Sequence, residues 1–451
     1  MQMSGVEDFY PLSPMQQGML FHSMYAPESG AYVEQMSCVL EGNLDVGAFE
    51  LTWQKVVDRH AILRTAFVGK ELKELVQVVH RRVQLALEQQ DWRELLPAQQ
   101  GERLETWLQA ERSRGFDLAK PPLMRLGLAR TSRTSYVFVW TYHHALLDGW
   151  STPLLLQEVF SLYEAYQRGR TLQLPPAKPY RDYIIWLRRQ DMGAAEAFWR
   201  DELAGFYAPT PLTVDGLVPG RRSVGSKPGE SVETLLCDEQ ELVLPATQTA
   251  ALQSLARQHH LTLSTLVEGA WALLLSRYSG QEDVLFGVTG SGRPTDLPGA
   301  EMMIGLFINT LPARVRVPRQ ARLAPWLQEL QAHQARLREY EYSPLVQIQG
   351  WSDVPRGTPL FKSILVFENY PVDASTVAAT GEKQHLVIRD VRSAEQTNFP
   401  LTLVGGVDNE LLLRIVYDTW LFGASTIKRM LGHLVSLLEG MIRNPNCTLG
   451  E

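Results

Sequence analysis

The run Tyr142-His143-His144-Ala145-Leu146-Leu147-Asp148-Gly149-Trp150-Ser151 gathers two imidazoles, a carboxylate and a glycine into one short stretch. An imidazole titrates near physiological pH, so a histidine at a cavity wall can take a proton from an amine or hydroxyl nucleophile. Asp148 stands beside what reads as a helix start, where a carboxylate is favoured. Gly149 permits close backbone approach, either to a substrate or within the turn itself. A purely structural histidine pair is the competing reading. A metal site is not expected, because neighbouring strand histidines point apart and no third ligand clusters with them.

The elements that must position these groups are legible around them. Tyr136-Val137-Phe138-Val139-Trp140 is β-branched and aromatic and predicts a buried strand. Downstream, Leu155, Val159, Leu162 and Tyr166 recur at helical spacing. Ser151 is the expected N-cap, with Pro153 tolerated in the first turn. Successive strand side chains face opposite sides, so His143 and His144 must do different jobs, one facing a cavity and one packed inside.

At 451 residues the chain exceeds one ordinary core, so two lobes are expected. A formal charge of -7 and the lack of a basic run argue against a nucleic-acid partner. No apolar stretch is long enough to span a membrane, and Met1-Gln2-Met3-Ser4-Gly5 lacks the charged and apolar regions of a signal peptide. Cys38, Cys237 and Cys447 are widely spaced and odd in number, which suits a reducing cytoplasm and no disulfide framework. His22, His60, His259 and His260 read as structural or surface histidines on helices or their ends.

Leu174-Pro175-Pro176-Ala177-Lys178-Pro179 breaks the helical pattern and marks a connection, so the lobes are expected at 1–178 and 179–451. A helical stretch with Trp186, Phe198 and Trp199 follows, then a polar segment from Gly216 to Gly229 that reads as a surface loop. The second half echoes the first. With His143 set over Tyr417, Leu147, Gly149, Ser151 and Thr152 meet identical residues in Tyr417-Asp418-Thr419-Trp420-Leu421-Phe422-Gly423-Ala424-Ser425-Thr426. Each segment follows an apolar strand and precedes an amphipathic helix, so a duplicated lobe is expected, with the histidines and the aspartate kept only in the first copy. Two strand–turn–helix units with serine caps also look alike by default.

Taken together, these residues resemble a condensation domain of a nonribosomal peptide synthetase. Tyr10-Pro11-Leu12-Ser13-Pro14-Met15-Gln16-Gln17-Gly18-Met19-Leu20-Phe21-His22 is similar to that family's opening motif, and Arg59-His60-Ala61-Ile62-Leu63-Arg64-Thr65-Ala66-Phe67 to its second. His143 to Ser151 resembles the HHxxxDGxS core motif. Tyr180-Arg181-Asp182-Tyr183 with Trp186, Ile304-Gly305-Leu306-Phe307-Ile308-Asn309-Thr310, Ser343-Pro344-Leu345 and Asn398-Phe399-Pro400-Leu401 resemble the later motifs in order.

The resemblance implies an α/β (α+β) fold: a V-shaped pseudodimer of two chloramphenicol-acetyltransferase-like lobes, each a mixed sheet flanked by helices, around a central tunnel. It implies donor and acceptor peptidyl carrier domains as partners, presenting substrates on 4'-phosphopantetheine arms, and an adjacent adenylation domain. The domain itself is expected to bind no cofactor and to be a cytoplasmic, monomeric part of a larger chain, with Asn444-Pro445-Asn446 expected to begin a linker-like tail. By carry-over His144 faces the tunnel as general base or positioning group, and Asp148 is mainly structural, ion-paired with Arg293 of Ser291-Gly292-Arg293-Pro294. His143 completes the catalytic motif. Gly149 offers an N–H to a developing oxyanion. Trp150, Ser151 and Asn309 line the tunnel, core packing being the alternative for Trp150 and Asn309. Epimerization domains differ after the aspartate, and heterocyclization domains carry an aspartate at the first histidine. A coenzyme A-dependent acyltransferase and a non-enzymatic docking platform remain as rivals, although the intact motif argues against the platform.

Overall fold

The computed structural model describes residues 5–25, 32–69, 75–212, 237–368, 386–394 and 397–451. The Gly216–Gly229 segment and residues 1–4 of the amino terminus lie outside the described residues. Contacts divide the chain into two compact units. The first comprises Met1–Gln190, Arg293–Phe307 and Tyr370–Gln396, and the second Asp191–Gly292, Ile308–Asn369 and Thr397–Glu451. The single cut expected between residues 178 and 179 therefore differs from this division. The chain's contacts pass the proline-rich connection before the first unit ends, and two later segments return to it.

In the first unit the elements run β1 (Val6–Pro11), α1 (Pro14–Tyr25), β2 (Val33–Gly42), α2 (Val46–Arg59), β3 (Thr65–Val68), β4 (Val76–His80), β5 (Leu87–Asp91), α3 (Pro97–Ser113), β6 (Met124–Arg130), β7 (Ser135–His143), α4 (Ser151–Gln167) and α5 (Arg181–Leu187). Strands β1, β4 and β3 form a small antiparallel sheet. The main sheet is mixed, with β5 parallel to β6 and β7 antiparallel between β6 and β2. Its far edge is the strand Leu386–Ala394, which pairs with β2 from nearly the other end of the chain.

Alternation along β7 explains how this sheet is held. Phe138 and Trp140 point to one face and meet Phe49 and Trp53 of α2 with ring centroids 5.3 and 5.1 Å apart at the closest pairs. The α4 residues Leu155 and Val159 are fully buried on the same core, as their helical spacing predicts. Each such side chain contributes about 1.5–3 kcal/mol on burial. Val137 and Val139 point the other way, beneath Trp107 of α3. Gly127 on β6 makes room for that ring, since a Cβ there would lie 2.3 Å from it.

The second unit contains α6 (Met192–Glu202), β8 (Cys237–Leu244), α7 (Ala246–Gln258), α8 (Leu263–Ser279), β9 (Asp283–Gly290), β10 (Asn309–Arg316), α9 (Leu323–Glu339), α10 (Leu345–Trp351) and β11 (Ser363–Glu368). With Leu386–Ala394 counted as β12 in the first unit, β13 (Leu401–Val407), β14 (Leu411–Asp418) and α11 (Ala424–Arg443) complete it. Its six strands lie in the order β10-β9-β11-β13-β14-β8, again mixed. Helix α8 is buried along most of its length, with Trp271 at 0 % exposure. Each unit is thus a mixed sheet flanked by helices, the α/β class expected.

The echo has a structural counterpart. After β7 the His144 carbonyl accepts from Leu147 N–H at 3.2 Å, and after β14 the Asp418 carbonyl accepts from Leu421 N–H at 3.0 Å. A long helix follows each turn. Two expectations are corrected. Residues beyond Asn446 are not a loose tail: Leu449 is buried, its N–H donates to Ala321 O at 2.9 Å, and Cys447 O accepts from Leu323 N–H. Tyr166, at the end of α4, is about half exposed rather than buried with the apolar face. Cys38 and Cys447 are free thiols, and among the described residues no helix is long and apolar enough to cross a membrane.

Candidate active site

Strand β7 ends on His143, and a tight turn carries His144 to Asp148 into α4. The two histidines do have different surroundings. His143 is buried, its ring edge-on to Phe116. Its Nδ1 accepts from the Ala145 N–H at 3.1 Å, and its Nε2 lies 3.0 Å from Ser23 Oγ. Burial, with the neighbouring His144 adding to it, pushes its pKa down to about 3. A neutral ring with both nitrogens engaged is a framework group, because it has no free atom to offer a substrate.

His144 is half-buried, and its Nδ1 lies 2.7 Å from the Leu147 carbonyl. A carbonyl only accepts, so Nδ1 carries the hydrogen, and Nε2 keeps a lone pair with no partner among the described residues. The His144 N–H donates to Tyr32 O at 2.8 Å. Tyr32 adopts φ +64°, a left-handed conformation uncommon outside glycine. Backbone strain of this kind gathers where a site fixes its geometry.

Asp148 is fully buried, and its carboxylate meets three donors in four contacts. Its Oδ1 accepts from Ser151 N–H at 2.8 Å and from Arg293 Nη2 at 3.1 Å, its Oδ2 accepts from Phe307 N–H at 2.9 Å, and Arg293 Nη2 also lies 3.4 Å from Oδ2. Trp150, the residue before α4, makes no side-chain cap bond, and the open helix start is served by Asp148 instead of Ser151: Oδ1 takes the Ser151 N–H and the carbonyl accepts from Thr152 N–H at 3.3 Å. The reason is that the Ser151 hydroxyl is already engaged: it donates to Gly305 O at 2.8 Å and accepts from Gly305 N–H and Arg293 Nη2.

Arg293 stacks 4.1 Å over the Phe307 ring, lies 5.4 Å from the Trp150 ring, and donates through Nη1 to Ala300 O and Met303 O. Trp150 Nε1 donates to Glu301 O at 3.0 Å. Tyr180 of the fourth motif donates to Leu306 O at 2.5 Å and Tyr183 lies against Phe307. All of these residues belong to the first unit. The segment Arg293–Phe307 is therefore fastened to the start of α4 by the polar side-chain atoms of Asp148, Trp150 and Ser151.

The remaining expected residues fall as follows. No group among the described residues accepts from the Gly149 N–H, and Thr152 Oγ1 donates to its carbonyl at 3.2 Å. Asn309 belongs to the second unit, where its amide donates to Glu341 O at 2.7 Å and Ser343 O at 2.8 Å. Both of its donors are thus taken by backbone. His60 is buried 2.7 Å from Glu158 on α4, a structural role. Sequence reading missed Ser23, Tyr32 and the Leu147 carbonyl, none of which carries a local signal. Gly305 was readable only as part of the Ile304–Thr310 motif; its reason is structural, since a Cβ there would lie 2.2 Å from the Tyr180 ring. Among the described residues no cluster of three or more histidine, cysteine or acidic side chains could hold a metal ion.

A family model described as "Condensation domain" matches residues 6–451. One of the linear gramicidin synthase proteins of Brevibacillus parabrevis is 48% identical over 450 residues, covering 100% of this chain and 6% of that protein. Surfactin synthase subunit 3 of Bacillus subtilis (strain 168) is 34% identical over 441 residues, covering 98% of this chain and 33% of that protein. The chain spans well under half the length of either. Among solved structures, the starter condensation domain of rhizomide synthetase matches with a TM-score of 0.82 at 19% identity, covering 100% of this chain and 98% of that one. The X-domain in its complex with OxyB from teicoplanin biosynthesis matches at 0.79 and 22% identity, covering 99% and 96%. At such identities the shared feature is the fold. The family model, by contrast, runs nearly end to end, and the chain belongs to the condensation-domain family.

Proposed function

We propose that this chain forms an amide bond in nonribosomal peptide synthesis. The free α-amine of an acceptor aminoacyl thioester attacks the carbonyl carbon of a donor aminoacyl or peptidyl thioester. A C–N bond forms, the C–S bond breaks, and the amine's proton ends on the departing thiol of the donor arm. Both arms are 4'-phosphopantetheine on carrier domains, and the lengthened product stays on the acceptor carrier. An adenylation domain in the same larger chain supplies the activated amino acid.

The observation that carries this reading is the single open nitrogen of His144, held by the 2.7 Å bond from its other nitrogen to Leu147 O. An α-amine with a reference pKa of about 7.7–8.0 must lose a proton to attack. Nε2 can accept that proton, or hold the amine and stabilise the charge growing in the tetrahedral intermediate. The Gly149 N–H is assigned to the developing oxyanion. His143, Asp148, Arg293, Trp150 and Ser151 hold the turn and contribute no reacting atom. The thioester is already activated, so placing two tethered substrates in line supplies much of the acceleration.

The test is a condensation assay with two loaded carrier proteins, following the dipeptidyl mass on the acceptor carrier by intact-protein mass spectrometry. Product with the wild type and nearly none with folded His144→Ala supports the reading. The rhizomide synthetase starter domain is described in complex with C8-CoA. Turnover of a free coenzyme A thioester, with no activity on any carrier pair, would mark this chain as a stand-alone acyltransferase instead. A His144→Ala variant as fast as the wild type would mean that the domain works by bringing substrates together, without this imidazole.

A further inference from the structure

We propose that Ser23 is a positioning residue for His144 and acts by setting the tautomer of His143. The inference rests on the amide-forming role given to His144. Ser23 lies near the end of α1, and its hydroxyl is 3.0 Å from Met19 O, the carbonyl one helical turn back. That carbonyl can only accept, so the hydroxyl proton points to it, and the Ser23 oxygen is left to accept from His143 Nε2–H at 3.0 Å. At the other side of the ring, Nδ1 must accept from the Ala145 N–H. Both bonds are satisfied by one form only, the neutral ring protonated on Nε2.

The consequence runs along the turn. His143 Nδ1 fixes the N–H of Ala145, and Gln16 Nε2 donates to the carbonyl of the same residue at 3.0 Å. Gln16 and Ser23 are two helical turns apart, so they lie on one face of α1. Gln16 is itself completely buried and is held by the Ser13 N–H and by Gln77. Ala145 is therefore gripped at both polar groups by one helix face, one grip direct and one through His143. Ala145 opens the turn whose Leu147 carbonyl takes the Nδ1–H of His144. If His143 moved its proton to Nδ1, it would meet the Ala145 N–H donor to donor, and Ala145, which opens the turn that aims His144 Nε2, would lose one of its two anchors.

The test compares Ser23→Ala and Ser23→Thr with the wild type. In the carrier-based condensation assay, Ser23→Ala should lower kcat about tenfold, the size of one neutral hydrogen bond lost at the reacting geometry, with KM for either carrier within about twofold. Ser23→Thr, which keeps the hydroxyl, should restore kcat. In protein labelled with 15N-histidine, His143 should show a protonated Nε2 and a bare Nδ1 at pH 7, and mixed tautomers in Ser23→Ala. The tautomer is read without turnover, so failure of the amide-forming reading and failure of this one are distinguishable. A wild-type His143 protonated on Nδ1, a Ser23→Ala enzyme with unchanged kcat, or a loss of rate that threonine does not restore would each overturn the proposal.

Discussion

Asp148→Asn separates the charge of the buried carboxylate from its shape. Asp148 and Arg293 are 3.1 Å apart, with side-chain exposures of 0 and 5%. Removing one charge of such a pair strands the other and costs about 3–5 kcal/mol. The amide brings a second penalty. Oδ1 faces Ser151 N–H and Arg293, and Oδ2 faces Phe307 N–H, so an asparagine must turn its NH2 toward a donor whichever way it is placed. An opposed buried donor costs about 1–3 kcal/mol, but both penalties fall on the same partners and do not simply add. A net loss of about 4 kcal/mol corresponds to a midpoint lower by about 8–16 °C for a unit of this size. Thermal unfolding of purified Asp148→Asn, Arg293→Met and the double variant, followed by circular dichroism, measures this. The double variant should lose at least about 2 kcal/mol less than the sum of the singles, because with Arg293 gone no charge is stranded. An inactive Asp148→Asn whose midpoint stays within about 2 °C of the wild type would refute the reasoning and give the carboxylate a chemical role.

Three further outcomes follow from the same geometry. His143 is held near a pKa of about 3 against 6.5 for the free side chain, so between those values the unfolded chain binds a proton that the folded chain refuses. Stability therefore falls as pH drops below about 6.5, by about 1.4 kcal/mol at pH 5.5. Urea midpoints at pH 7.5 and 5.5 should show this loss in the wild type and its absence in His143→Gln; equal losses would remove His143 as the cause. Gly305→Ala places a Cβ 2.2 Å from the Tyr180 ring, so it should destabilise the fold by about 1–3 kcal/mol, read as a lower unfolding midpoint. Asn309→Ala should cost about 1–3 kcal/mol of stability and leave KM for both carriers unchanged, because its donors serve Glu341 and Ser343. A raised KM at full stability would return Asn309 to the substrate.

The local parts of this site were readable and the long-range parts were not. Alternating β-branched and aromatic residues marked β7, and helical spacing marked α4, because each pattern is set by neighbours in sequence. That His143 and His144 differ was expected from strand alternation, but β7 ends at His143 and it is the turn, through the Leu147 carbonyl, that sets His144 apart. The misreading of Ser151 as a cap shows the limit: a serine at a helix start is the usual cap, but here Gly305, far along the chain, engages the hydroxyl and Asp148 takes the capping role. Nothing local in Arg293–Phe307 says that it belongs with the first unit, and nothing in Leu386–Ala394 says that it pairs with β2. Ser23 was passed over for the same reason. A lone serine near a helix end becomes informative only when the ring opposite it is known.

The division of labour within the turn bears on how this domain could act. Of the four imidazole nitrogens in the histidine pair, three are held by the protein's own groups: Ser23, the Ala145 N–H and the Leu147 carbonyl. Asp148 is equally occupied, by Ser151, Arg293 and Phe307. One nitrogen, His144 Nε2, keeps a lone pair with no partner among the described residues. A single acceptor can receive one proton or one hydrogen bond, an effect of about 10²–10⁴ in rate. Holding two reactants in line is worth far more, up to about 10⁵–10⁸ M in effective concentration. The motif's many fixed groups are thus better understood as the means of holding one atom still than as a set of catalysts. Loss of the His144 imidazole should then lower the rate on tethered substrates by about 10²–10⁴, to nearly no product, with the remainder coming from alignment alone, whereas loosening the turn around it should cost rate even with the imidazole intact.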